Sequence, residues 1–239
     1  MIILKQKIIN EYWFADAVDK YSIFKISKYK QYKRGKQIGY INYDFYTKII
    51  SLEELENDIL NKFTKNTKYE INRVKREGVE FKVENNLNNF LNFYNDFAQS
   101  KKLKLLNNIE KYKDYLVVTK AVFENEILCM HSYLADKNSG RIRLLHSASQ
   151  FRNIEDNKMK NLIGMANRML HFDDMCYFKN QGFKEYDLGG YAYDTEDAIL
   201  QSINKFKDSF GGTLVKEIEL QSIPFFILNK LYSIYKGMK

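Results

Sequence analysis

The sequence holds three histidines, His131, His146 and His171, and an imidazole is the side chain best suited to move a proton near neutral pH. His146 falls on a strand that can aim it into a cleft, so it is the first candidate for a general base, with a half-buried structural role as the other reading. His131 would orient His146 or bind an acceptor. His171 stands on a helix in LHFDD, where packing, or a hydrogen bond to Asp173 or Asp174, competes with a part in catalysis. Asp187 precedes Gly189 and Gly190 at the carboxyl end of a strand, where open sheets place ligands. It either holds a ligand's ammonium or hydroxyl, or makes a turn. The glycine pair, followed by Tyr191, lets a substrate approach the main chain. In NKFKDSFGG, Lys207 lies about 40° around the helix from Ile203 and Lys205 about 200°, so Lys207 faces the core side and Lys205 faces water. Cys129 and Cys176 have no repeated spacing, which gives neither a disulfide framework nor a zinc knuckle, and no metal site is expected.

Strands and helices must position these groups. Residues 1–50 alternate aromatic and basic side chains and read as short strands and turns. Ser51 with Glu54, and Thr67 with Glu70, have the spacing of capping boxes, which predicts two helices, the second ending at Gly78. A strand VEFKV and a helix from about Leu87 to Ser100 follow. From Tyr115 three strands form a meander, turning at Glu124–Asn125 and at Asn138–Gly140. An even number of residues in the second loop would put His131 directly opposite His146. A long, widely apolar helix carrying Leu162, Met165, Met169, Phe172 and Cys176 then leads to FKEYDLGG, a parallel crossover. A helix from about Asp194 to Asp208 places Ile199, Ile203, Phe206 and Phe210 in one stripe, before a last strand and an amphipathic tail. We expect residues 1–84 to form one strand and helix region and residues 85–239, with the amphipathic tail, a second domain.

The bulk properties narrow the class. The 239 residues are 45% hydrophobic, 15% aromatic and 28% charged, which excludes a disordered chain, and no apolar run is long enough to span a bilayer. The start, MIILKQKIINEYW, does not read as a signal peptide, so a cytoplasmic protein is expected. The net charge of +8 points to an anionic partner without choosing among nucleic acid, a nucleotide-linked substrate, coenzyme A or an anionic membrane. Arg73 and Arg76, on the basic helix, would bind a diphosphate.

The order of elements resembles the GNAT acyltransferase core. Three stretches, FTKNTKYEINRVKREGVEF, LHFDDMCYFKNQGFKEYDLGG and INKFKDSFGG, resemble its FemABX-like branch, which includes bacterial sugar N-acyltransferases. With HSYLAD and RLLHSAS between them, the resemblance runs from about Tyr46 to Leu220. It implies a mixed α/β GNAT fold with a central, mostly antiparallel sheet and one parallel βαβ crossover. It implies acyl-CoA as co-substrate, its pantetheine paired with the strand holding Leu144, Leu145 and Ser147. Its pyrophosphate would rest at a helix N-terminus in Asn161-Leu-Ile-Gly164-Met-Ala166, with Lys158 and Lys160 adding contacts; close helix packing is the other reading of Gly164. The motif also associates Lys207 with substrate phosphate.

The chain is short beside FemABX peptidyltransferases and lacks room for the helical arm that some use on transfer RNA. The leading expectation is therefore transfer from acyl-CoA to the amino group of a nucleotide-linked sugar in O-antigen or lipopolysaccharide synthesis, by direct attack on the thioester and without a specific nucleic-acid partner. The alternatives are an aminoacyl-tRNA-dependent transferase acting on a peptidoglycan precursor, and a non-catalytic protein that binds nucleic acid or a membrane surface. The tail, with Phe225, Phe226, Leu228, Leu231, Tyr232 and Ile234, would dock on its own domain, on a second subunit or on a membrane.

Overall fold

The computed structural model describes residues 1–6, 8–152 and 154–237. It is a mixed α/β structure whose ten strands pair mostly antiparallel. By proximity the residues form two compact units, 1–47 with 214–239, and 48–213, so residue 84 lies inside the second.

The first unit contains β1 (Ile2–Gln6), β2 (Ile9–Trp13), β3 (Ser27–Tyr32) and most of β4 (Tyr40–Ser51) and β10 (Thr213–Ser222), hydrogen-bonded in the order β1-β2-β3-β10-β4. β2 and β3 are parallel, a pairing the sequence does not announce. The aromatic alternation is core: Tyr12 stacks on Tyr29 with ring centroids 4.4 Å apart, and Tyr32, Tyr40, Ile218 and Leu220 close around them. The last helix, α6 (Ile223–Gly237), leaves Leu231, Tyr232 and Ile234 exposed, while Phe225, Phe226 and Leu228 are half-buried. Among the described residues no helix is long and apolar enough to cross a membrane.

In the second unit the order is β4-β9-β8-β7-β6-β5, with β5 (Glu80–Glu84), β6 (Leu116–Phe123), β7 (Glu126–Asp136), β8 (Arg141–Ser149) and β9 (Glu185–Gly190). Its helices are α1 (Glu56–Asn61), α2 (Lys65–Arg76), α3 (Leu87–Ser100), α4 (Asn157–Asn180) and α5 (Ala198–Asp208). The meander forms as its turns dictate: Glu124 and Asn125 both take positive φ, the geometry of a tight two-residue hairpin. α4 is the parallel crossover between β8 and β9, and Met165, Ala166, Met169, Leu170, Met175 and Phe178 bury its apolar side.

Several local expectations give way. Ser51 ends β4 and caps no helix, and α1 begins after Leu55. α2 begins one turn earlier than expected, because the Thr64 hydroxyl accepts from the Thr67 N–H. α5 begins at Ala198, where the Asp197 carboxylate accepts from the N–H groups of Ile199 and Leu200. The β7–β8 register starts at the turn as counted, Asp136 opposite Arg141, but a bulge between Ser132 and Tyr133 slips it by one residue. His146 therefore faces Ser132, and His131 faces Ser147. Because strand side chains alternate, that slip sends the two histidines to opposite sides of the sheet.

The glycine pair Gly211–Gly212 joins α5 to β10 where the chain passes close to β4. Both take positive φ, and a Cβ on Gly212 would lie 2.6 Å from the Ile49 carbonyl oxygen. At Gly78, φ is +92° but a Cβ meets nothing within 4 Å. Gly78→Ala is thus expected to cost about 1 kcal/mol, the ordinary left-handed penalty, and Gly212→Ala at least about twice that, because backbone must also move. Calorimetric melts of the two variants check the difference.

Candidate active site

β8 and β9 pair only from Arg141–Glu185 to Arg143–Asp187, although β8 runs on to Ser149 and β9 to Gly190. Beyond Arg143 the two strands part, and a cleft of about 590 Å³ opens along β8. Leu144, Leu145, His146 and Ser147 form one wall, Tyr94 and Phe97 of α3 another, and Asn167 and His171 of α4 lie with Phe206 and Lys207 of α5 on the remaining sides. Ile199 and Ile203, expected in the core stripe of α5, also line this cleft and are exposed, whereas Phe210 alone of the four is fully buried.

Lys207 reaches across the end of β9. Its ammonium donates to the carbonyl oxygen of Gly189 at 3.3 Å and to that of Gly190. Burial, with Arg143 nearby, pushes its pKa down to about 8 against the opposing pull of Asp187. A side chain at Gly189, where φ is +76°, would press within 3.1 Å of the Leu144 carbonyl oxygen, so bare backbone is required where the strands part. Lys205 is exposed. Tyr191, next along, donates from its hydroxyl to Asp208 at 3.0 Å.

His146 sits in the cleft wall with Nδ1 2.8 Å from the Ser132 hydroxyl and its ring against the edge of Tyr94. Burial, then the positive charges of Arg143 and Lys111, push its pKa down to about 4. It is neutral at pH 7, as expected, but a conjugate acid of that strength makes it a weak general base there.

His131 is fully buried and faces α4, not His146. Its Nδ1 lies 2.8 Å from Asp174 Oδ2 and its Nε2 2.8 Å from Asn167 Oδ1. The Tyr133 hydroxyl donates to the same Asp174 oxygen and also contacts the Tyr186 hydroxyl at 2.6 Å, which in turn meets His171 Nδ1 at 2.7 Å. His171 therefore bonds to Tyr186 and to neither neighbouring aspartate; Asp173 is paired with Lys75. Burial, with His131, Lys207 and Arg168 nearby, holds His171 well below the usual imidazole range. Potential ligand atoms of His131, His171 and Asp174 lie within 4.8 Å of one another. The two imidazoles nevertheless lie ring to ring, centroids 4.3 Å apart, and both nitrogens of His131 and Nδ1 of His171 are engaged in hydrogen bonds, an arrangement unlike an open coordination site.

The remaining expected residues gather elsewhere. Arg73, Lys158, Lys160, Asn161 and Gly164 line a separate groove of about 640 Å³ between α2 and α4, and Arg76, on α2, is exposed and outside its lining. Asn161 and Gly164 stand inside α4. The N–H groups of its first turn, at Lys158 and Met159, are taken by the Asp156 carboxylate, so the helix start expected to hold a pyrophosphate is already capped. Arg73 pairs with Glu77 and Arg168 with Glu70. The residues expected to hold one coenzyme thus divide between two depressions.

No protein-family model matches the chain, and no curated protein matches it in sequence. Solved structures do. FemX is 14% identical with a TM-score of 0.60, the match covering 83% of this chain and 66% of FemX. The C-terminal domain of a putative lysylphosphatidylglycerol synthetase from Agrobacterium fabrum is 10% identical, TM-score 0.60, over 92% of this chain and 79% of that one. L-PGS from Bacillus licheniformis is 14% identical, TM-score 0.57, over 95% and 82%. The fold is FemABX-like.

Within the FemABX-like fold, these neighbours overturn the leading expectation. A lysylphosphatidylglycerol synthetase by its name joins a lysyl group, an aminoacyl group, to a lipid. Transfer from acyl-CoA to a nucleotide-linked amino sugar, and the exclusion of aminoacyl groups, are withdrawn accordingly. The cleft also draws in Asn167, Tyr94 and Phe97, which the sequence reading did not single out. Asn167 was within reach, being one helical turn before His171.

Asp187 is not exposed to the cleft. Arg141, itself fully buried, donates to its Oδ2 from Nη2 at 2.6 Å and from Nε at 3.1 Å, and Oδ1 accepts from the Gly189 N–H at 2.8 Å. The carboxylate therefore neutralises a buried guanidinium and ties down the turn that carries the Lys207 acceptors. Asp187→Ala would leave that guanidinium uncompensated and is expected to cost about 3–5 kcal/mol. Denaturant unfolding should show this loss, and the soluble variant should not show a KM change alone.

Proposed function

We propose that this protein is an aminoacyltransferase that moves an aminoacyl group from the ester of an aminoacyl-tRNA to an amine of a peptidoglycan precursor. The observation that carries the reading is Lys207: a cation seated at the parting of β8 and β9, over main-chain carbonyls, in a cleft whose fold neighbours include FemX and a lysylphosphatidylglycerol synthetase. The carbonyl oxygens of Gly189 and Gly190 accept from Nζ and stabilise an ammonium more than a neutral amine. At pH 7 the amine, with a pKa of about 8, is mostly charged. A charge held in a partly desolvated cleft acts more strongly than one in water, on a terminal phosphate of the donor or on negative charge developing at its ester.

The reaction needs no acyl-enzyme. The acceptor nitrogen attacks the ester carbonyl carbon, the tetrahedral species collapses, and the ribose oxygen leaves with the proton that the acceptor gives up through solvent. Aromatic walls from Tyr94, Phe97 and Phe206 suit the stacking of a terminal base. Lys101 lies at the edge of the cleft, and Lys102 and Lys104 follow it in the loop, a basic run that suits an RNA backbone.

The direct test is transfer of a radiolabelled aminoacyl group from charged tRNA to a peptidoglycan precursor, with phosphatidylglycerol vesicles and acyl-CoA as parallel arms. Label on the precursor supports the reading, and label moved only from acyl-CoA refutes it. If the ammonium is the active form, kcat/KM falls as pH rises through about 8. Lys207→Arg should shift that alkaline limb upward. Lys207→Met should lower kcat/KM by about 100-fold or more. Because the folded pKa of about 8 lies below the ordinary 10.5, the lysine opposes folding fully below about pH 8 and progressively less up to about pH 10.5. Lys207→Met should therefore raise Tm at pH 7 as it removes activity, and a lowered Tm would contradict the role assigned to burial.

A further inference from the structure

Asn167 stands on α4 where the cleft meets the buried histidine network, and its amide is gripped from one end. Asp174 Oδ2, 2.8 Å from His131 Nδ1, and Asn167 Oδ1, at the other ring nitrogen, are both acceptors, so the ring donates from both nitrogens as an imidazolium paired with the Asp174 carboxylate. On the other side of the ring, Nε2 lies 2.8 Å from Asn167 Oδ1, and the Ser147 hydroxyl donates to the same oxygen at 3.4 Å. Two strands, β7 and β8, thus hold the carbonyl end of this amide. Its Nδ2 has no partner among the described residues, and Asn167 is part of the cleft lining that also holds Lys207. A side-chain amide fixed this way presents N–H donors to whatever occupies the cleft.

We propose that Asn167 is a catalytic residue, its Nδ2 donating to the carbonyl oxygen of the transferred group as that oxygen becomes an oxyanion, and that His131 with Asp174 is the positioning pair that sets the amide this way round. The inference rests on the aminoacyl-transfer reading for the identity of the carbonyl. In the step served, the acceptor nitrogen bonds to the carbonyl carbon and the π pair moves onto the oxygen facing Asn167. When that pair returns, the bond to the ribose oxygen breaks, and the acceptor's proton ends on the departing hydroxyl. A preorganised donor at such an oxygen is worth about 10²–10³ in kcat. The opposite amide orientation would face the cleft with an acceptor, suited to an ammonium instead, and substitution separates the two.

The test is single-turnover transfer from charged tRNA by full-length wild type and variants. Asn167→Ala should lower kcat by about 100-fold with KM and Tm little changed. Asn167→Asp, which supplies only acceptors, should be as poor; an Asp variant that keeps wild-type kcat, or an Ala variant that does, overturns the proposal. His131→Gln should lower kcat in the wild-type background and have no further effect beside Asn167→Ala. Independent losses from the two changes overturn the positioning role. A second measurement stands apart from turnover: calorimetric binding of a phosphonate analogue of an aminoacyl ester, a stable mimic of the tetrahedral oxyanion. Wild type should bind it at least about tenfold more tightly than Asn167→Ala. Equal binding, or none by wild type, overturns the role of Asn167 even if charged tRNA proves to be no substrate, an outcome that would refute the aminoacyl-transfer reading itself.

Discussion

The candidate site depends on the point at which β8 and β9 cease to pair. Three paired residues hold the strands together, and past Arg143 the main chains separate. The buried Arg141–Asp187 pair secures the last paired position, and the second Asp187 oxygen binds the Gly189 N–H, so one carboxylate fixes both the sheet below the cleft and the turn above it. A buried ion pair is costly unless every oxygen and N–H finds good geometry, and here the guanidinium makes two bonds to one oxygen while the backbone takes the other. Gly189, at positive φ and close to the Leu144 carbonyl, lets the strands part without a side chain between them. The carbonyls of Gly189 and Gly190 then become the seat of Lys207.

Two sets of groups converge on that opening from the two faces of the sheet. Against α3, His146 is packed with Tyr94 and Phe90, and burial keeps it neutral. Against α4, a hydrogen-bonded chain runs from Tyr186 and Tyr133 through Asp174 and His131 to Asn167. The bulge between Ser132 and Tyr133 produces this division. In a regular ladder, with no bulge at Leu145 of β8, His131 and His146 would have come to one side of the sheet, where neither network could form as it does.

Much of this was legible in the residues. Regular features were clearest: the Glu124–Asn125 hairpin, the long apolar α4 and the crossover to β9 follow from turn chemistry and periodicity. The contrast of Lys207 with Lys205 follows from helical angle alone and holds in the structure, although the glycines that Lys207 touches are the distant pair at 189–190, not the adjacent pair at 211–212. A one-residue bulge leaves no mark in composition, so the histidine pairing was counted wrongly. The spacings at Ser51 and Thr67 match capping boxes, yet β4 pairing claims Ser51, and Thr64 caps α2 before Thr67 can. Asn161 and Gly164 resemble a phosphate loop, but Asp156 starts the helix one turn earlier. Substrate class lay beyond the motifs, because lysines that suit a coenzyme phosphate suit an RNA backbone equally well.

The most direct measurement of the central claim is a crystal structure with an aminoacyl-adenosine isostere in which an amide replaces the ester, carrying a terminal phosphate. The account predicts its carbonyl between β8 and α5, on the Lys207 side of the cleft, with its base against Tyr94, Phe97 or Phe206. Binding instead in the groove between α2 and α4, around Arg73 and Lys160, would contradict it.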